Sequence, residues 1–99
     1  MPRFDVYLRS DVDGYLLDCQ SDLLSGLTTR LVVPLLNEAD MQRPISRLNP
    51  PFRVRGGVVV MATQFATAVA TRDLGEPVES LRDSHDEIVA ALDMLISGF

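Results

Sequence analysis

The sequence predicts a β-rich α+β domain in which a strongly bent antiparallel sheet is closed by one C-terminal helix. Three observations predict it. Through Thr71, apolar residues alternate with polar ones in short runs bounded by Gly, Pro, Asn, Asp and Ser. The pair Gly56-Gly57 separates two such runs, as a tight hairpin requires. From Ser84 onward the apolar period lengthens to that of a helix.

The elements follow in order. Phe4 to Arg9 alternates with Phe4, Val6 and Leu8 on one face, the pattern of a half-buried strand. Ser10 to Gly14 is a turn, and Tyr15 to Cys19 is the returning strand of a hairpin. Ser21 to Thr29 is a loop that contains Leu23, Leu24, Gly26 and Leu27. Arg30 to Leu36 is rich in β-branched residues, but Pro34 has no N–H for a ladder, so this strand lies at an edge or breaks there. Asn37 to Pro51, with three prolines, is irregular connection. Phe52 to Arg55 and Val58 to Met61 form a hairpin around Gly56-Gly57, where both central positions can take positive φ. Ala62 to Thr71 continues extended, and Gly75 and Pro77 break the pattern. Ser84 and Glu87 read as a capping-box pair opening the helix, with Asp86 and Glu87 suited to its dipole. Ile88, Leu92, Leu95 and Phe99 then follow on one face, with Ala91 and Ile96 beside them.

At 99 residues the chain supports one domain, residues 1–99, that buries roughly two-thirds of its unfolded surface. The single cysteine, Cys19, excludes an internal disulfide and suits a reducing cytoplasm. The N-terminal residues lack the apolar core of a signal peptide, and Val58 to Ala62, the longest apolar stretch, cannot span a bilayer. A net charge of −5 without a Lys/Arg cluster argues against direct binding to nucleic acid or anionic membrane.

Catalytic chemistry finds little support. The one histidine, His85, sits in the first helical turn, where a surface position is the simpler explanation. Cys19 lies on an apolar strand and reads as core. No His/Cys cluster is spaced to hold zinc, Asp11 and Asp13 fall short of a calcium loop, and Gly56-Gly57 lacks the lysine of a phosphate loop. No metal or cofactor is expected.

The chain end is less ordinary. The helix runs almost to the terminus and finishes Leu95-Ile96-Ser97-Gly98-Phe99, with Asp93 close by and no Lys or Arg after Arg82. A helix end prefers cations, so this tip is apolar and locally negative, a socket for a partner's arginine. The alternative is that Leu95 and Phe99 pack on the sheet while Asp93 is solvated.

The block Asp18-Cys19-Gln20-Ser21-Asp22-Leu23-Leu24, followed by Arg30-Leu31-Val32-Val33-Pro34-Leu35, resembles the CcdB family, the toxins of toxin–antitoxin modules that poison DNA gyrase. The early Phe4-Asp5-Val6-Tyr7 strand, Met61-Ala62-Thr63 with Ala66, and Ser84-His85-Asp86-Glu87 are also similar to that family, so the resemblance spans essentially the whole chain. It implies an SH3-like barrel-type sheet with a C-terminal helix, and a homodimer that is no enzyme. The implied partners are the gyrase A subunit, trapped on cleaved DNA, and a CcdA-like antitoxin whose disordered segment masks the toxin. DNA is then contacted only indirectly, through the antitoxin complex that represses the operon.

Carried over by position, the family's gyrase contacts fall on Leu23 and Leu24 in the loop and on Asp93, Ile96, Ser97, Gly98 and Phe99 at the tip. Three of these depart from the best-studied members, which have tryptophan in place of Ser97, asparagine in place of Asp93 and an aliphatic residue in place of Phe99. An indole stacked on an arginine is worth roughly 0.5–2 kcal/mol, and a serine cannot supply it. Two alternatives therefore stand beside the gyrase poison. One is a family member that binds antitoxin but poisons gyrase weakly or not at all. The other is an endoribonuclease on the related MazF-like fold, for which Arg30, Arg53 and Arg55 could supply cations but no base accompanies them.

Overall fold

The computed structural model describes residues 2–98. Seven strands among them form one antiparallel sheet: β1 (Asp5–Leu8), β2 (Tyr15–Asp18), β3 (Thr29–Asn37), β4 (Pro51–Val54), β5 (Gly57–Met61), β6 (Thr67–Ala70) and β7 (Glu79–Ser80). The neighbour order is β4-β5-β3-β2-β1-β7, and β6 also pairs with β3. Helix α1 (His85–Ser97) follows the last strand. The expected bent sheet closed by a C-terminal helix is what forms.

Alternation explains the core. Phe4 and Val6, Leu17 and Cys19, Val33 and Leu35, Phe52 and Val54, and Val59 and Met61 are each two residues apart, so each pair shares a face. All ten belong to one buried cluster, completed by Leu81 and by Ile88 and Ala91 from α1. The expectation of a half-buried first strand needs correction at two adjacent residues. Tyr7 on the opposite face is 2% exposed, whereas Leu8, the last residue of β1, is 54% exposed.

Strand β3 organises the bend. Its Thr29–Val32 segment pairs with β6, its Leu35–Asn37 segment with β5, and its other edge with β2. Pro34 sits at the changeover. Its carbonyl accepts from the Ala62 N–H at 2.9 Å, so the N–H it lacks would also point toward β5 and β6. There one partner has ended at Thr67 and the next begins at Met61. The strand is central, not an edge, and the break occurs in its neighbours rather than in its own path.

Two local expectations shift. The β4–β5 turn is Arg55-Gly56, with φ of 52° and 85°, and Gly57 already pairs with Val54. The pairing places a non-glycine residue at a positive φ, and the Arg55 N–H donates to the Glu79 carboxylate at 2.7 Å. The capping box does not form. The chain enters α1 through a single 3-10 turn, Arg82–Ser84, so Ser84 has φ −100° and ψ 23° instead of the extended backbone of a capping residue, and its side chain makes no cap bond. At the other end Gly98 adopts φ 81° and closes the helix with its N–H on the Met94 carbonyl, as a C-terminal glycine does.

Candidate protein-interaction site

The loop between β2 and β3 is built from the polar block that precedes it. Asp18, which pairs with Val32, and Arg30, two residues earlier on β3, are diagonal neighbours and both wholly buried; the Arg30 guanidinium donates to Asp18 Oδ2 from Nε at 2.9 Å and pairs with it through Nη2 at 2.6 Å. The other carboxylate oxygen of Asp18 accepts the Gln20 N–H at 3.1 Å. Gln20 in turn donates from Nε2 to the Leu24 carbonyl at 3.0 Å and accepts the Leu31 N–H at 3.1 Å, tying the loop to β3. Ser21 Oγ accepts the Leu23 N–H, opening a 3-10 turn over Asp22–Leu24, and the Leu27 N–H closes the next turn on the Leu24 carbonyl. Asp18, Gln20 and Arg30 are buried, while the Ser21 bond lies at the surface.

The result is that apolar side chains face outward. Leu23 is 94% exposed, and Leu24 and Leu27 are about half exposed. Scattered surface leucines are ordinary, but three on one hydrogen-bonded loop form a patch held in place by buried polar groups. Leu27 was visible as a loop residue and was not among the expected contacts; nothing in its sequence context distinguishes it.

The helix end is a second surface. Asp93, Ile96, Ser97 and Gly98 share its last turn, all exposed. Ile96 is 82% exposed and Leu95 41%, so the helix projects beyond the sheet after Ala91 and Leu92. Of the two alternatives for this end, the one in which Leu95 is covered by the sheet is therefore not favoured, since Leu95 is outside the buried cluster. Ser97 Oγ donates back to the Asp93 carbonyl at 2.8 Å. No basic residue stands in the last turn to offset Asp93 and the helix dipole. Phe99, the remaining expected contact, lies outside the described residues. The structure thus groups four tip residues on one turn and the leucines on another segment.

Reactive chemistry is sparse. His85 is exposed, its Nδ1 lies 3.1 Å from Asp86 Oδ1, and its ring meets the edge of Phe4. Burial pushes the Cys19 thiol up to about 12, with the Asp18 carboxylate adding to the shift, so it carries no thiolate at neutral pH. Among the described residues no group of three or more His, Cys, Asp or Glu could hold a metal ion. A concavity of about 600 Å³ on the sheet is lined by Leu8, Leu16, Pro34, Val69 and Leu74, with Arg9, Asp11 and Asp73 among its polar residues and no histidine or cysteine. No helix among the described residues is long and apolar enough to cross a membrane.

A curled antiparallel sheet with a C-terminal helix, presenting leucines on one loop and an apolar helix end, is the architecture of the CcdB/MazF-like fold. The model of the family described as CcdB protein matches residues 3–98, and the chain belongs to that family. It is a CcdB family toxin, a class that acts by binding and not by catalysis, so the endoribonuclease alternative is set aside. Comparison with curated proteins gave no match.

Proposed function

We propose that this protein is the toxin of a type II toxin–antitoxin module, a homodimer that binds the DNA gyrase A subunit in the cytoplasm and traps the enzyme on cleaved DNA. The observation that carries this reading is the exposure of Leu23 and Ile96, 94% and 82%, at positions where the family resemblance puts gyrase contacts. A poison of this kind does no chemistry. It binds one state of the gyrase cycle more tightly than the others and so shifts the cycle toward that state. A CcdA-like antitoxin wraps the same protein, removes it from gyrase and brings it to operator DNA. Accumulation of linear, protein-linked plasmid when gyrase from the host meets the purified protein supports the reading; intact supercoiled plasmid together with no binding to the A subunit refutes it.

The Ser97 hydroxyl favours a second reading. It is turned back onto the Asp93 carbonyl and offers no ring to a partner's guanidinium. On that reading the protein binds antitoxin but poisons gyrase weakly. Ser97→Trp then raises affinity for the A subunit by about tenfold, the worth of one well-placed stack. An unchanged titration removes the stacking argument.

A further inference from the structure

Arg3 and Phe4 precede β1 and lie against the end of β2 and the loop that follows it. Phe4 is buried at a φ of 70°, a left-handed conformation that is costly for an aromatic residue and persists only where neighbours fix it. Several contacts fix it. Its N–H donates to the Asp18 carbonyl at 2.6 Å, its carbonyl accepts the Leu81 N–H at 2.9 Å, and its ring stands edge-on to His85 with centroids 5.5 Å apart. The Arg3 guanidinium carbon lies 4.6 Å from the ring centroid on the same aromatic.

This unusual path places Arg3 against the loop. Its N–H donates to Asp22 Oδ1 at 2.8 Å and its Nε donates to the Cys19 carbonyl at 3.1 Å. One residue therefore joins the end of β2 to the start of the turn that carries Leu23, bypassing Gln20 and Ser21. The turn needs such support because it buries none of its own three residues. Ordering an exposed segment costs conformational entropy that its own packing does not offset.

We propose that the Arg3 N–H and the Asp22 carboxylate form a clasp that holds the Leu23–Leu24 turn in the conformation that binds its partner, making Asp22 a positioning residue. The partner in this statement rests on the gyrase reading above, whereas the clasp itself does not. A loop ordered before encounter binds more tightly than one ordered on contact. Asp22 anchors the residue next to Leu23 by its carboxylate; Arg3 anchors Asp22 by its main chain while its side chain is fixed by Cys19 and Phe4. Losing the Asp22 carboxylate should free the turn and leave the sheet unchanged, whereas Arg3→Ala keeps the main-chain donor.

Amide hydrogen exchange on the whole protein tests this, with Arg3→Ala, Asp22→Ala and Asp22→Asn compared to the unaltered chain. The Leu24 and Leu27 amides, bonded to the Ser21 and Leu24 carbonyls, report the loop; the Met61 amide, bonded to Pro50, reports the core. Asp22→Ala should speed exchange at Leu24 and Leu27 by about tenfold, Arg3→Ala, which keeps the N–H, by distinctly less, and both should leave Met61 unchanged. Asp22→Asn keeps an acceptor oxygen and should restore nearly the original rates. Affinity for the gyrase A subunit should fall in Asp22→Ala and recover in Asp22→Asn. Unchanged loop exchange in Asp22→Ala, or equal acceleration at Met61, overturns the clasp. Faster loop exchange with unchanged affinity overturns its positioning role. Failure of the unaltered protein to bind gyrase A instead overturns the gyrase reading, and the exchange data still decide the clasp.

Discussion

Asp18 and Arg30 carry charge into a place with no exposed surface, where each is worth keeping only because the other is there. Taking two charges out of water is expensive, and removing one partner leaves the other uncompensated. Asp18→Ala is therefore expected to cost about 3–5 kcal/mol in denaturant unfolding, and it also strips the Gln20 N–H of its acceptor. Asp5 lies in the opposite situation. Burial raises its carboxyl above the ordinary 3.8, and the nearby Asp18 raises it further, only partly offset by the N-terminus and Arg82. A raised acid binds its proton more tightly in the native state, so the stabilisation is complete below 3.8 and is lost as pH rises through the native value. At neutral pH ionised Asp5 is a net cost. Asp5→Asn should accordingly raise the melting temperature at pH 7, and the gain should shrink as the medium is acidified toward pH 3.8. A gain that persists undiminished in acid would mean that packing, not charge, is responsible.

The strands were legible in the sequence because their apolar residues repeat every second position and both pairs in a hairpin point to the same core. What the pattern could not show was how β3 shares its edge between β5 and β6, since that is settled by tertiary pairing; Pro34 revealed only that a break was near. The Arg55-Gly56 turn was displaced by one residue from Gly56-Gly57 because pairing of Val54 with Gly57 fixed the register. The two-residue β7 had too little sequence to carry a signal. At the helix the periodicity found the buried face through Ala91 but could not say where the sheet beneath it ends. The leucine loop was located by family resemblance, while the reason for its motif, an inward polar network presenting outward leucines, appears only in three dimensions. At the helix end the expected role of Gly98 was readable. Gly98 has φ 81° and open space where a Cβ would go, so Gly98→Ala meets no clash and only backbone strain. It should cost about 1 kcal/mol in equilibrium unfolding, and Gly98→Asn distinctly less, because asparagine tolerates the left-handed region.

The whole protein presents two surfaces that differ in physics. The β2–β3 loop offers apolar area, and the helix end offers Ile96 beside a negative site made by Asp93 and the helix dipole. On the gyrase reading the two should contribute to binding in separable ways. Apolar contact is short-ranged and shows mainly in the rate of dissociation, whereas charge acts during approach and weakens with ionic strength. Between roughly 0.01 and 0.1 M salt the screening length contracts from about 30 Å to about 10 Å, so steering by an exposed carboxylate fades over that range. The chain's net charge of −5 acts in the same direction, favouring a cationic target surface. Measured on immobilised gyrase A subunit, Leu23→Ala is expected to speed dissociation several-fold while leaving the salt dependence of association unchanged. Asp93→Asn is expected to slow association and flatten its salt dependence, with dissociation altered less. If Asp93→Asn leaves the salt slope intact, the negative tip does not meet a cation, and the helix end binds through Ile96 alone.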